Sequence, residues 1–208
     1  QLPQNVTEIK MVLSDYSGYK PQKTDNQGNT KSCVGHAVLG CVRELVEQYY
    51  DINLDFDIIS IFNQIEAARI RPKDRMINFL RTGRNGFVAK DGTLVKIIGI
   101  QQVELSVDEI CKSVQTYGPV IISIKMYKEL NLKPKDEIIK ILPKDLTSKK
   151  TSHAIQIIGF DRTKKLFRIQ NSWKPETNVK WINLDDLIRV SKKAFSILGI
   201  RIFPKNNI

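Results

Sequence analysis

Cys33 is the residue in this chain best placed to act as a nucleophile. A turn-rich stretch, Asn26-Gln-Gly-Asn-Thr-Lys-Ser32, runs into it, and the strongest helical periodicity of the sequence starts right behind it. The unpaired N–H groups of a helix N-terminus act as a partial positive charge, so a thiol there favours its thiolate. The competing reading is a small buried core residue, the usual fate of a free cysteine. Cys41 and Cys111 fit that reading well, each lying among the apolar positions of a helical pattern. A thiol nucleophile needs a base, and the chain has only two histidines, His36 and His153. His153 opens an apolar run roughly 120 residues downstream, where a strand end meets a loop. Taken alone it reads equally as a satisfied strand-end histidine. His36 lies one helical turn from Cys33, beside the thiol rather than across a cleft, and reads as a packing or hydrogen-bonding residue. Asn171 could hold an imidazole in one tautomer, and Trp173 could cover that bond. Gln27 and the Cys33 backbone N–H could donate to a developing oxyanion. Each of these, alone, is also an ordinary loop or core residue.

Taken in order along the chain, four segments form one pattern: Gln27-Gly-Asn-Thr-Lys-Ser-Cys33, Gly118-Pro119-Val120, Ser152-His153-Ala154 and Asn171-Ser-Trp173. In this pattern the chain resembles the papain-like cysteine proteases over about residues 25–203. The resemblance implies Cys33 as nucleophile, His153 as base and acid, and Asn171 as its orienter. It also implies Gln27 with the Cys33 N–H as the oxyanion hole and Trp173 as a shield over the His–Asn pair. There are departures. Thr30 stands where the family usually has a paired cysteine, and Val34 where it usually has an aromatic. The family's substrate-pairing Gly-Gly segment has no clear counterpart, with Gly83 and Gly86 as candidates. The Val-Gly-His after Cys33 looks more like divergent, bacterial-type members.

These groups need elements to position them. Val34, Ala37, Val38, Cys41, Val42, Leu45, Val46 and Tyr49 recur at three- and four-residue steps, which predicts a helix from Ser32 or Cys33 to about Tyr50. Arg43, Glu44, Glu47 and Gln48 would form its exposed face. A second helix is expected from Asp57 to about Ile70, capped by Asp55 or Asp57. Residues 73–92 read as loop, followed by a short helix from Thr93 to Ile98. Ser106-Val-Asp-Glu109 is a capping box for a helix that Gly118 closes. Strands are expected at 119–126, 153–158, 166–170, 179–183 and 195–203, and a long Lys- and Pro-rich loop at 128–150. Helices gather before Gly118 and strands after it, which argues an α+β fold. The expected division is a helical lobe at 1–118 carrying the nucleophile and a β lobe at 119–208 carrying His153 and Asn171. The resemblance implies a papain-like two-lobe fold, its second lobe an antiparallel β-barrel-like sheet with the site between the lobes.

Composition narrows the function classes. The chain has 208 residues, 41% hydrophobic and 26% charged, which excludes a disordered or fibrous protein. No run approaches the roughly 18 apolar residues of a membrane-spanning helix. The formal charge of +11 is scattered in short clusters such as Arg69, Arg71, Lys73 and Arg75, without the aromatic interleaving of an RNA-binding surface. No cysteine spacing suits a metal, so no cofactor is expected. The function expected is a cysteine peptidase acting through an acyl-thioester on a polypeptide substrate. A ubiquitin-like-modifier protease, a glutamine deamidase or transamidase, and an idle basic binding module are the alternatives. A monomer is expected, with no nucleic-acid or membrane partner and with a pro-segment or protein inhibitor as a further partner. The start at Gln1 without Met suggests processing, and secretion is expected over a cytoplasmic setting.

Overall fold

Helix periodicity and strand alternation both persist into the three-dimensional structure, a computed structural model that describes residues 15–16, 27–28, 31–68, 74–126, 138–141, 151–172 and 179–205. Along the chain these form β1 (Asp15–Tyr16), α1 (Cys33–Tyr50), α2 (Ile58–Ala67), α3 (Arg75–Thr82), β2 (Phe87–Val88), β3 (Leu94–Val103), α4 (Val107–Tyr117) and β4 (Val120–Met126). There follow β5 (Ile138–Ile139), β6 (Thr151–Asp161), β7 (Leu166–Gln170), β8 (Val179–Asn183), α5 (Leu184–Val190) and β9 (Ser191–Phe203). The strands join in one sheet, ordered β2-β3-β9-β4-β6-β7-β8-β5, with β1 also paired to β6. All pairings are antiparallel except β5 with β8. The architecture is the expected α+β class. The sheet draws strand β3 from upstream of Gly118 and sends helix α5 in among the later strands.

The sheet is covered on both faces, and alternation along each strand divides its side chains between two cores. Ile121, Ala154, Phe195 and Ile197 pack with Leu39, Val42, Leu45 and Phe79 on the side of α1, α2 and α3. Ile122, Ile124, Ile155 and Ile157 pack with Ile110, Val114 and Leu187 on the side of α4 and α5. Each fully buried aliphatic side chain in these cores contributes about 1.5–3 kcal/mol.

Helix α1 departs from its expected amphipathic pattern. It is buried on every side from Val34 to Val46, Arg43 and Glu44 included, and its exposed residues are confined to the last turn. It lies between the sheet and the helices α2 and α3, so its polar face meets protein instead of water. Gly40 permits this. A Cβ at Gly40 would stand 2.3 Å from Nε2 of Gln156 on β6. The Cys41 thiol donates to the Pro119 carbonyl at 3.3 Å, which ties α1 to the start of β4.

Several local expectations are corrected. Residues 75–82, read as loop, form α3. Asp74 caps it by accepting from the Ile77 N–H at 3.2 Å, and Met76, Phe79 and Leu80 form its buried face. Residues from Leu94 form strand β3, not a helix; a bulge at Gly99 against β9 interrupts the alternation that would have marked it. Asp57 is the cap of α2, which ends at Ala67. Ser106 caps α4 as expected, its Oγ accepting from the Glu109 N–H, but the return bond of a capping box is replaced by one from the Ser106 N–H to the Glu104 carbonyl. Gly118 closes α4 at φ 110°, which favours glycine.

Filling the space at Gly40 should force α1 away from β6. Gly40→Ala is expected to destabilise the fold by about 1–3 kcal/mol in denaturant titration, despite alanine's better helix propensity. A midpoint equal to or above that of the parent would show that Gln156 vacates the space without cost.

Candidate active site

Cys33 is the first residue of α1 and is partly exposed, whereas Cys41 and Cys111 are buried. No acidic residue occupies the first turn of this helix, so nothing there opposes its positive end. His36 closes the turn before it: its Nδ1 stands 2.9 Å from the Ser32 carbonyl, to which it donates. His36 is thus a buried hydrogen-bonding residue, as the sequence suggested.

His153 sits near the start of β6, paired across the ladder with Ile124. Its Nε2 lies 2.7 Å from Oδ1 of Asn171, the residue just after β7. The same oxygen accepts from the Ser172 N–H at 2.8 Å, which identifies it as the carbonyl end of the amide. Nε2 therefore carries the proton of the neutral ring, and the lone pair is on Nδ1. Gln27 is held beside this pair. Its N–H donates to the Ser172 carbonyl at 2.8 Å, and its Oε1 accepts from the Ser172 hydroxyl at 2.6 Å. With the carbonyl end engaged, the donor end of that amide is Nε2. Trp173 lies outside the described residues, as do most of the 128–150 loop, Thr30 and the Arg69–Lys73 segment.

A cavity of about 480 Å³ opens between α1, α3 and the ends of β4, β6 and β9. Cys33, His153 and Ala154 line it together, with Val34 and Met76 as apolar wall. Ser123, Ser152 and the charged Lys31, Asp74, Arg75, Lys192 and Lys193 complete it, and the sequence assigned none of the charged ones a role. In the sequence Arg75 stands out only as part of a basic cluster, and Lys31 only as a member of the Gln27–Cys33 segment. The wall was illegible because β9 brings its lysines to α3 from more than a hundred positions away.

Burial sets the protonation of the two central groups. It pushes the Cys33 thiol above its ordinary value, while the N–H groups of Ala154 and Val34, the charge of Arg75 and its own N–H pull the other way. It pulls the His153 imidazole down to about 4, opposed by the bond to Asn171. Cys111 is pushed up to about 11 and Cys41 further still, both by burial first. Cys33 is the one thiol of the three with several groups that stabilise its anion.

A sequence model of the Peptidase_C39 like family matches residues 85–199, a stretch that includes His153 and Asn171 and starts downstream of Cys33. No curated protein sequence matches the chain. Among solved structures, the chain is similar to xylellain, a cysteine protease from Xylella fastidiosa. The TM-score is 0.74 at 14% identity, over 92% of this chain and 88% of that one. It is similar to digestive procathepsin L 3 of the Tenebrio molitor larval midgut, with a TM-score of 0.75 at 13% identity over 92% and 71%. It is also similar to the Carica candamarcensis cysteine protease CMS1MS2, solved in complex with E-64, with a TM-score of 0.66 at 15% identity over 86% and 92%. At these identities the likeness establishes the papain-like fold.

The depressed basicity of His153 has a consequence for folding. The unfolded chain takes up this proton near pH 6.5 and the folded chain only near 4. Between those values the unfolded state binds more protons, so stability falls as pH falls. The loss from this residue should be about 3 kcal/mol, complete below pH 4. His153→Gln should flatten the slope of stability against pH across this window, measured by urea titration at several pH values. An unchanged slope would contradict the burial of a neutral ring.

Proposed function

The chain belongs to the Peptidase_C39 like family and has the papain-like fold, and from that premise we infer that it is a cysteine peptidase whose Cys33, His153 and Asn171 act as a catalytic triad. The observation that carries this reading is the 2.7 Å bond from His153 to Asn171, which leaves the ring's lone pair on Nδ1, while His153 and Cys33 line the same cavity. In this reading the residues up to 118 supply the nucleophile, and those from 119 supply the base and its orienter.

The chemistry follows from those positions. His153 Nδ1 takes the proton of the Cys33 thiol, and the thiolate attacks the carbonyl carbon of the scissile peptide bond. The carbonyl π electrons move to oxygen, and the oxyanion is met by the Cys33 N–H and by Nε2 of Gln27. The intermediate collapses with cleavage of the C–N bond. The imidazolium gives its proton to the departing amine, leaving an acyl-thioester on Cys33. Water then attacks the thioester, losing its proton to His153. The acid departs and the thiol is restored.

Burial disfavours a lone thiolate and a lone imidazolium, yet the two charges form together. Their mutual attraction offsets part of each desolvation penalty. Asn171 stabilises the imidazolium by accepting a hydrogen bond from its Nε2–H.

Limiting iodoacetamide or E-64 at neutral pH should label Cys33 ahead of Cys41 and Cys111, read by peptide mass mapping. Labelling of Cys33 no faster than the buried thiols would overturn the assignment. Cys33→Ala should abolish peptide hydrolysis with little change in melting temperature. Asn171→Ala should lower kcat on the order of 10²-fold while KM changes little, with the acid limb of the pH profile moved down. That direction follows because the Asn171 bond is what raises the imidazole's basicity.

A further inference from the structure

The wall of the cavity beside Cys33 is strongly unbalanced in charge. Among the described residues, Lys31, Arg75, Lys192 and Lys193 line it against one carboxylate, Asp74. That carboxylate is already engaged: Oδ1 caps α3 through the Ile77 N–H, and Oδ2 holds Lys193. Arg75 is paired at 3.1 Å with Glu66, which does not line the cavity. Lys192 donates to the Ser152 hydroxyl at 2.7 Å, which puts an ammonium at the residue next to His153. Among the described residues, neither Lys31 nor Lys192 has a carboxylate partner.

Two neighbouring lysines on one strand should point to opposite faces, and here both reach the cavity. The ladder explains how. Ser123 of β4 pairs with Lys193, and the next residue, Ile124, pairs with Ser191, so Lys192 is an extra residue in β9. A bulge of this kind re-aims side chains. Here it turns two consecutive cations toward one space, where regular alternation would have sent one to the far side of the sheet.

We propose that this wall selects a substrate carboxylate, held by Lys192 and Lys193 beside the scissile bond. The proposal rests on the peptidase reading and adds its substrate class: polypeptides with an acidic side chain near the cleavage point, or with their own C-terminal carboxylate there. Val34, Met76 and Ala154 give the rest of the cavity an apolar lining that accepts the aliphatic part of a Glu side chain. An acid entering from the open side meets Lys192 first, and Lys193 can share its charge between that acid and Asp74.

The test separates binding from cleavage. Rhodamine-labelled, alanine-rich hexapeptides with Glu, Gln or Lys walked through each position are titrated against the Cys33→Ala protein by anisotropy. Each is made with a free and with an amidated C-terminus. At low salt one Glu position is expected to bind roughly five- to tenfold tighter than Gln, and Lys weaker still. The preference should shrink as ionic strength rises and the Debye length falls. Lys192→Glu in the same background should reverse the order of Glu and Lys peptides. A preference that survives amidation assigns the site to a side chain, and one lost on amidation assigns it to the chain terminus. Equal affinities across the set, or no measurable binding of any member, overturn the proposal. Failure of the peptidase reading is distinct: the wild-type protein would bind the acidic peptides and leave them uncut.

Discussion

The close seating of helix α1 on strand β6 is the constraint on which the rest of the structure depends. Gly40 lets the helix backbone come down onto Gln156, and one end of the same contact leaves the Cys33 thiol within reach of the Ala154 N–H. Ala154 and Gln156 lie two residues apart, on one face of the strand. The far end of the helix is held as well, where Tyr50 donates to the Ile200 carbonyl at 3.3 Å. A rigid helix in such a seat places its first residue with little freedom, which is what a reacting atom requires.

From this seat, a set of short ties gathers segments that are remote in sequence. Cys33 is joined to the strand of His153, His153 to Asn171, and Ser172 to Gln27. Each tie is polar and mostly buried, so breaking one would leave a group without its partner in a poorly solvated place. The same enclosure suppresses isolated charge on the thiol and the imidazole, while the cationic wall biases the local field toward anions. A thiolate and a substrate carboxylate would both benefit from that field.

Much of the fold was readable from local pattern. The extent of α1, the cap at Ser106 with its closing Gly118, and the strands at 166–170 and 179–183 follow from periodicity, capping chemistry and turn residues. The errors arose where a local signal was overwritten. Glycines after residue 82 obscured the short amphipathic α3, although Asp74 and the Met76, Phe79, Leu80 spacing marked it. The bulge at Gly99 disguised β3. Arg43 and Glu44 look solvent-facing on a helical wheel, yet they are buried because α2, α3 and the sheet enclose α1 on all sides. Burial of that kind depends on where other elements land.

The candidate set at 27, 33, 153 and 171 was legible in the sequence alone, because the proposed acyl transfer to a thiol restricts which side chains could serve. So was the helix that begins at Cys33, since a short-range period is a property of neighbouring residues. Only the tertiary structure decided which imidazole nitrogen carries the proton, for that depends on the Asn171 oxygen at the end of the neighbouring strand. It alone brought Lys192 and Lys193 to the same side, through a bulge defined by pairing with β4. Hydrogen-bond register and charge fields act through space between distant segments, and a one-dimensional pattern carries no distances.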